Sequence, residues 1–91
     1  MVTSIILMNV ERNEINTVAE QLAETDGITE VFSVSGKFDL VAIVRVKTND
    51  ALAELVTKKI LQIDAVTKTE TMLAFKAYSK HDLEAMFNVG M

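Results

Sequence analysis

The 91-residue chain contains no cysteine, no proline and a single histidine. Without cysteine there is no disulfide framework and no Cys/His cluster to hold a structural zinc. The same absence fits a reducing compartment. No Pro/Ser-rich linker, repeat or composition shift divides the sequence, so residues 1–91 are expected to form one small domain. Long hydrophobic runs are missing too. The stretch Ile5-Ile6-Leu7-Met8 is far too short to span a bilayer. It also lacks the basic flank and small-residue cleavage site of a signal peptide. A soluble, cytoplasmic protein is the expectation.

Clustered positive charge is lacking as well. Nine basic residues stand against thirteen acidic ones, for a net charge of −4, and Lys58-Lys59 is the one adjacent basic pair. A DNA-binding module neutralises phosphates with grouped Lys and Arg, so direct nucleic-acid binding is not expected. Nor does the sequence leave room for a helix-turn-helix ahead of its first strand. Nothing resembles a nucleophile elbow, a phosphate-binding glycine loop or a metal-ligand spacing, and no cofactor is expected.

What the chain has is apolar surface. Hydrophobic residues make up 49% of it. A chain this small buries only about 60–70% of the surface its unfolded form exposes. Burial against a second copy is the expected outlet for the surplus.

Val2 to Asn9 reads as a strand with apolar residues on both parities, Ile5 and Leu7 against Ile6 and Met8. That pattern belongs to a central strand covered on both faces. "NEINTVAEQLAET" places Ile15, Val18, Ala19 and Leu22 on one side of a helix, with Asn13 as its expected N-cap and Gly27 as its stop. Ile28 to Ser35 and Phe38 to Val46 are the next two strands, with Gly36 at a hairpin position that requires positive φ. "TNDALAELVTKKILQI" predicts a second helix capped by Thr48 or Asn49, with Leu52, Leu55, Val56 and Ile60 as its apolar stripe. A fourth strand is expected from about Val66 to Ala77. A short final helix should open at Ser79 and Asp82, with Leu83, Met86 and Phe87 on one side.

The order β-α-β-β-α-β plus a C-terminal helix is the ferredoxin-like arrangement, an α+β sandwich on a four-stranded antiparallel sheet. Two helices cover only one face of such a sheet. An apolar second face would expose several hundred Å2, more than a soluble monomer usually tolerates. Sheet-to-sheet dimerisation into an α/β-barrel-like assembly is therefore expected.

The segment "VSGKFDLVAIVRV", followed by a helix and then by "IDAVTKTETMLAF", resembles the effector-binding RAM domain of the Lrp/AsnC transcriptional regulators. The shared features are Gly36, Phe38 and Asp39 before a strand, then Val66, Thr69 and Thr71 entering the last strand. Asp64-Ala65 stands where the family often has Pro-Gly, and the family's N-terminal helix-turn-helix is not in this sequence. The resemblance covers nearly the whole chain and implies a stand-alone RAM domain without enzymatic activity. It further implies homodimers joined into a ring, such as an octamer or decamer. Amino-acid effectors would sit at contacts between dimers, and co-assembly with full-length regulators would follow.

On that basis Gly36, Lys37, Phe38, Asp39, Thr69 and Thr71 are the candidate ligand-binding residues. Asp39 would accept from an ammonium, and loop N–H groups would donate to a carboxylate, through charge-assisted hydrogen bonds. Each has a plainer reading. Gly36 turns the chain, Phe38 packs and Asp39 accepts a local backbone bond. Lys37 is a solvated loop charge, and Thr69 and Thr71, like Ser33 and Ser35, express ordinary strand propensity. Two rival functions remain open. One is a small dimeric α+β barrel enzyme of the monooxygenase or haem-degrading kind, with His81 as its sole imidazole ligand. The other is a purely structural oligomerisation module.

Overall fold

In the computed structural model, residues 1–80 are described. The elements run β1 (Val2–Val10), α1 (Ile15–Ala23), β2 (Ile28–Ser33), β3 (Leu40–Val46), α2 (Asn49–Glu54) and β4 (Val66–Leu73). The sheet order is β2-β3-β1-β4, and every neighbouring pair is antiparallel. β1 and β2 thus flank β3, and β3 and β4 flank β1, so each helix crosses over one intervening strand. This is the ferredoxin-like fold, with β1 in the middle of the sheet as its two apolar faces require.

The core lies between the helices and one sheet face. Ile6, Met8 and Val10 of β1, Leu40, Ala42 and Val44 of β3, and Ile28 of β2 are buried there. They meet Val18 and Leu22 of α1, together with Leu55 and Ile60. The buried/half-buried alternation from Ser4 to Val10 in β1 and from Leu40 to Val44 in β3 is the period-2 signature of strands packed on one side. Ser4 is the one buried polar side chain among the described residues. Its hydroxyl donates to the Met72 carbonyl at 2.8 Å, so the group does not sit unsatisfied in the core.

Helix entry differs from the expectation at α1. Asn13 does not cap it: Arg12–Glu14 form a 3₁₀ turn, and no side chain caps either start. The Glu11 N–H is held by the Ala65 carbonyl at 2.8 Å, and the Glu14 N–H by the Glu11 carbonyl at 2.9 Å. Backbone bonds thus meet the demand that an N-cap side chain would otherwise meet. At α2 the expected cap is present in Thr48, whose Oγ1 accepts from the Ala51 N–H at 3.0 Å. Thr48→Ala should therefore cost about 1 kcal/mol in urea unfolding, whereas Asn49→Ala should stay within about 0.5 kcal/mol. Beyond Glu54 the helix widens into a π-helical stretch, Leu55–Ile60. It closes with the Leu61 N–H bonded to the Val56 carbonyl, five residues back, at 2.9 Å.

The strands are shorter than their apolar content suggests. β2 stops at Ser33 rather than Ser35, and β3 starts at Leu40 rather than Phe38. β4 ends at Leu73 rather than Ala77, and its last tie to β1 is the Ala74 N–H, which donates to the Thr3 carbonyl. The expected final helix and His81 fall on residues 81–91, outside the described residues.

The sheet's other face is apolar over its two central strands, and no helix of the described residues covers it. The strand register puts Phe32, Val41, Leu7 and Glu70 in one row across it. Glu30, Ile43, Ile5 and Met72 form the next. Phe32 and Met72, toward the edges of these rows, are exposed by 47% and 44%, and Ile5, Leu7, Val41 and Ile43 between them are half-buried.

Candidate functional site

The β2–β3 connection, residues 34–39, is closed by the Val34 N–H donating to the Asp39 carbonyl at 3.0 Å. At its exposed tip Gly36 has φ +107, and open space surrounds the position a Cβ would take. The need there is conformational alone: a side chain would strain the backbone and touch nothing.

The loop is fastened to the end of β1. The Asp39 N–H donates to the Met8 carbonyl at 2.9 Å, and Asp39 Oδ2 accepts from the Val10 N–H at the same distance. β1 runs on past the first residue of β3, which would leave the Val10 amide without a strand partner on that side. The Asp39 carboxylate supplies the missing acceptor. A third tie comes from Asn9, whose Nδ2 donates to the Lys37 carbonyl at 2.8 Å. The bond that Asp39 makes is thus long-range rather than local to the turn.

Asn9 is also where the far side of the site attaches. Its carbonyl accepts from Thr67 Oγ1 at 3.2 Å, and β1 and β4 slip register between Asn9 and Val10. The end of β1 therefore holds the 34–39 loop on one flank and the start of β4 on the other. Sequence reasoning passed over Asn9 and Thr67. A lone amide at a strand end carries no periodic signal, and Thr67 looks like any other strand threonine.

The candidate residues are only partly brought together. Lys37 and Asp39 are tied directly to β1, Gly36 is the tip between strands, and Phe38 is half-buried. Thr69 pairs with Met8, whose carbonyl also receives the Asp39 N–H, so Thr69 lies one strand from the loop's anchor. Thr71 pairs with Ile6, one step further away, and is exposed. Because Met8 and Ile6 face the helices, Thr69 and Thr71 project on the helix side of the edge strand, while Asn9 takes the opposite parity. No hydrogen bond joins either threonine to the loop among the described residues. No group of three or more His, Cys, Asp or Glu side chains placed to hold a metal occurs among them either. No described helix is long and apolar enough to cross a membrane.

The model of the Lrp/AsnC ligand binding domain matches residues 3–83. TTHA0845 from Thermus thermophilus is 41% identical, with a TM-score of 0.83 over 88% of this chain and 100% of that one. PHS023 from Pyrococcus horikoshii is 31% identical, with a TM-score of 0.80 over 89% of this chain and 98% of that one. Among curated proteins, the uncharacterised HTH-type transcriptional regulator PH1916 of Pyrococcus horikoshii is 38% identical over 58 residues. That match takes in 64% of this chain but only 39% of the regulator's length. With its sheet order and its family match in agreement, this chain belongs to the Lrp/AsnC ligand-binding domain family.

Proposed function

We propose that the domain is a homo-oligomeric, non-enzymatic sensor that takes an amino acid or a similar small metabolite at the Gly36–Asp39 loop. The observation that carries this reading is the anchoring of Asp39. One carboxylate oxygen holds the Val10 amide at 2.9 Å, which fixes the group at the end of β1 and leaves the other oxygen to meet a ligand ammonium. A carboxylate immobilised in this way loses little freedom when it binds, the general advantage of preorganisation. Gly36 at the open tip lets a ligand or a second subunit approach the backbone closely.

Assembly is the other half of the proposal. The uncovered rows through Leu7, Val41, Ile5 and Ile43 are the surface on which two copies would press together, sheet against sheet. The 34–39 loop would then lie at the seam where such dimers meet. A ligand that touches two dimers stabilises the larger assembly by its preferential affinity for it. Similarity to HTH-type regulators over this region supports co-assembly with such proteins as the route to transcription.

Calorimetric titration of the twenty amino acids, with sedimentation velocity run alongside, tests the reading. One or a few should bind saturably and shift the protein toward a larger species. Asp39→Asn, which keeps an acceptor for the Val10 amide, should fold normally and weaken that binding at least about tenfold, the loss of one charge-assisted hydrogen bond. Absence of binding by all twenty, with no change in assembly, would sink the sensor. Loss of assembly on Asp39→Ala with no ligand present would instead favour the purely structural module.

A further inference from the structure

At the opposite pole of the sheet from the Gly36–Asp39 loop lies a cleft of about 450 Å3. That volume falls in the range of small-molecule sites, about 300–1,000 Å3. Its floor is apolar: Gly27, Val46, Ala51 and Leu55. Three lysines stand around it, Lys47 from the end of β3 and Lys58 and Lys59 from the π-helical stretch. In a chain of net charge −4, three of the nine basic residues converge on this one depression, including the only adjacent basic pair.

The acidic groups present do not cancel them. Glu54 pairs with Lys58 at 3.3 Å, and Asp26 is the other acid on the rim. Lys47 and Lys59 have no ion-pair partner among the described residues. The cleft wall is also unusual backbone. Leu55, Lys58 and Lys59 all lie on the π-helical turn, an arrangement with a looser hydrogen-bond ladder that recurs at functional sites. The absence of a side chain at Gly27 keeps the floor in place: a Cβ there would stand 2.8 Å from Leu55 Cδ1 and 3.0 Å from Val46 Cγ1.

From these observations we infer that the cleft is a second ligand site, selective for an aliphatic carboxylate. Its apolar body would lie on Val46, Ala51 and Leu55, with the carboxylate between Lys47 and Lys59. No aromatic side chain lines the cleft, which removes the stacking surface a nucleobase would need. Ammonium groups on long stems over an apolar floor suit a ligand with one charged end and one greasy end. The site is separate from the Gly36–Asp39 loop and does not depend on what that loop binds.

The test uses the isotope-labelled full chain, titrated with sodium octanoate below its micellar concentration and followed by amide NMR. Parallel titrations use 1-octanol and sodium acetate. Octanoate should shift the Gly27, Lys47, Ala51 and Leu55 amides saturably, leaving Gly36 and Asp39 unmoved. Octanol, which lacks the charge, and acetate, which lacks the chain, should each bind at least about tenfold more weakly. The Lys47→Gln/Lys59→Gln double variant should lose octanoate binding by at least about fivefold. Lys68→Gln/Lys76→Gln, with its changes outside the cleft, should match the parent. Equal binding of octanol, unchanged affinity in the Lys47/Lys59 variant, or shifts that map to Ile5 and Met72 instead would each overturn the assignment. A silent Gly36–Asp39 loop toward amino acids would fail the sensor proposal alone and leave this one standing.

Discussion

In the sheet-to-sheet dimer proposed above, Leu7→Lys and Ile43→Lys should each yield a monomer without unfolding it. Both residues sit mid-sheet on the face that no described helix covers, and each has an acidic residue across the strand boundary. Leu7 pairs with Glu70 on β4, and Ile43 with Glu30 on β2. In a free subunit the new ammonium meets that carboxylate in water, a cross-strand pair worth about 0.2–1 kcal/mol. Between two apposed sheets the same ammonium is stripped of solvent. Desolvating the new ammonium, even beside that carboxylate, costs several kcal/mol. At about 1.4 kcal/mol per decade, the dimer dissociation constant should rise by about a thousandfold or more. Sedimentation velocity reads the assembly and circular dichroism reads the fold. A parent-like dimer in both variants would mean that the interface lies elsewhere.

Gly27→Ala should be the most damaging small substitution in the described chain, and Gly36→Ala is its control. Both glycines have positive φ, +93 and +107. Placing a Cβ in that region costs about 1–2 kcal/mol on backbone grounds. At Gly36 this is the whole effect, since nothing lies within 4 Å of the added atom. At Gly27 the methyl also meets Leu55 Cδ1 at 2.8 Å and Val46 Cγ1 at 3.0 Å. Where Leu55 and the β-branched Val46 do not give way, overpacking of this kind adds about 1–3 kcal/mol. Gly27→Ala should then lose about 2–5 kcal/mol, a large share of the roughly 5–15 kcal/mol that holds a domain together. Urea unfolding of the two variants side by side reads the difference. Equal losses would show that Leu55 shifts freely and that the contact carries no penalty.

The contrast between these glycines shows where reading the chain succeeds and where it stops. That each punctuates a helix or strand is visible from the residues around it. That one is hemmed in and the other stands in the open depends on Leu55 and Val46, which are remote in the chain. Asp39 is a similar case. As part of Gly36-Lys37-Phe38-Asp39 it was recognisable as turn chemistry and as a family feature. Its actual partner, the Val10 amide, is 29 residues away, and no spacing rule reaches it. The N-cap expected at Asn13 failed for a related reason. A hydrogen bond from Glu11 to Ala65, 54 residues on in the chain, directs it into a 3₁₀ turn instead. Thr48, whose cap is satisfied within three residues, was legible.

Hydrophobic periodicity by itself determined the order of strands and helices, the central place of β1 and the existence of a second greasy sheet face. Those properties follow from which neighbours along the chain share a side, and pitch and pleat set that. Only the tertiary structure decided that Asn9 ties the loop to β4, that Thr69 and Thr71 point to the helix side, and that Lys47, Lys58 and Lys59 ring one cleft. Such meetings depend on strand register and helix placement. These are fixed by the packing of the whole core, and no local stretch of residues encodes them.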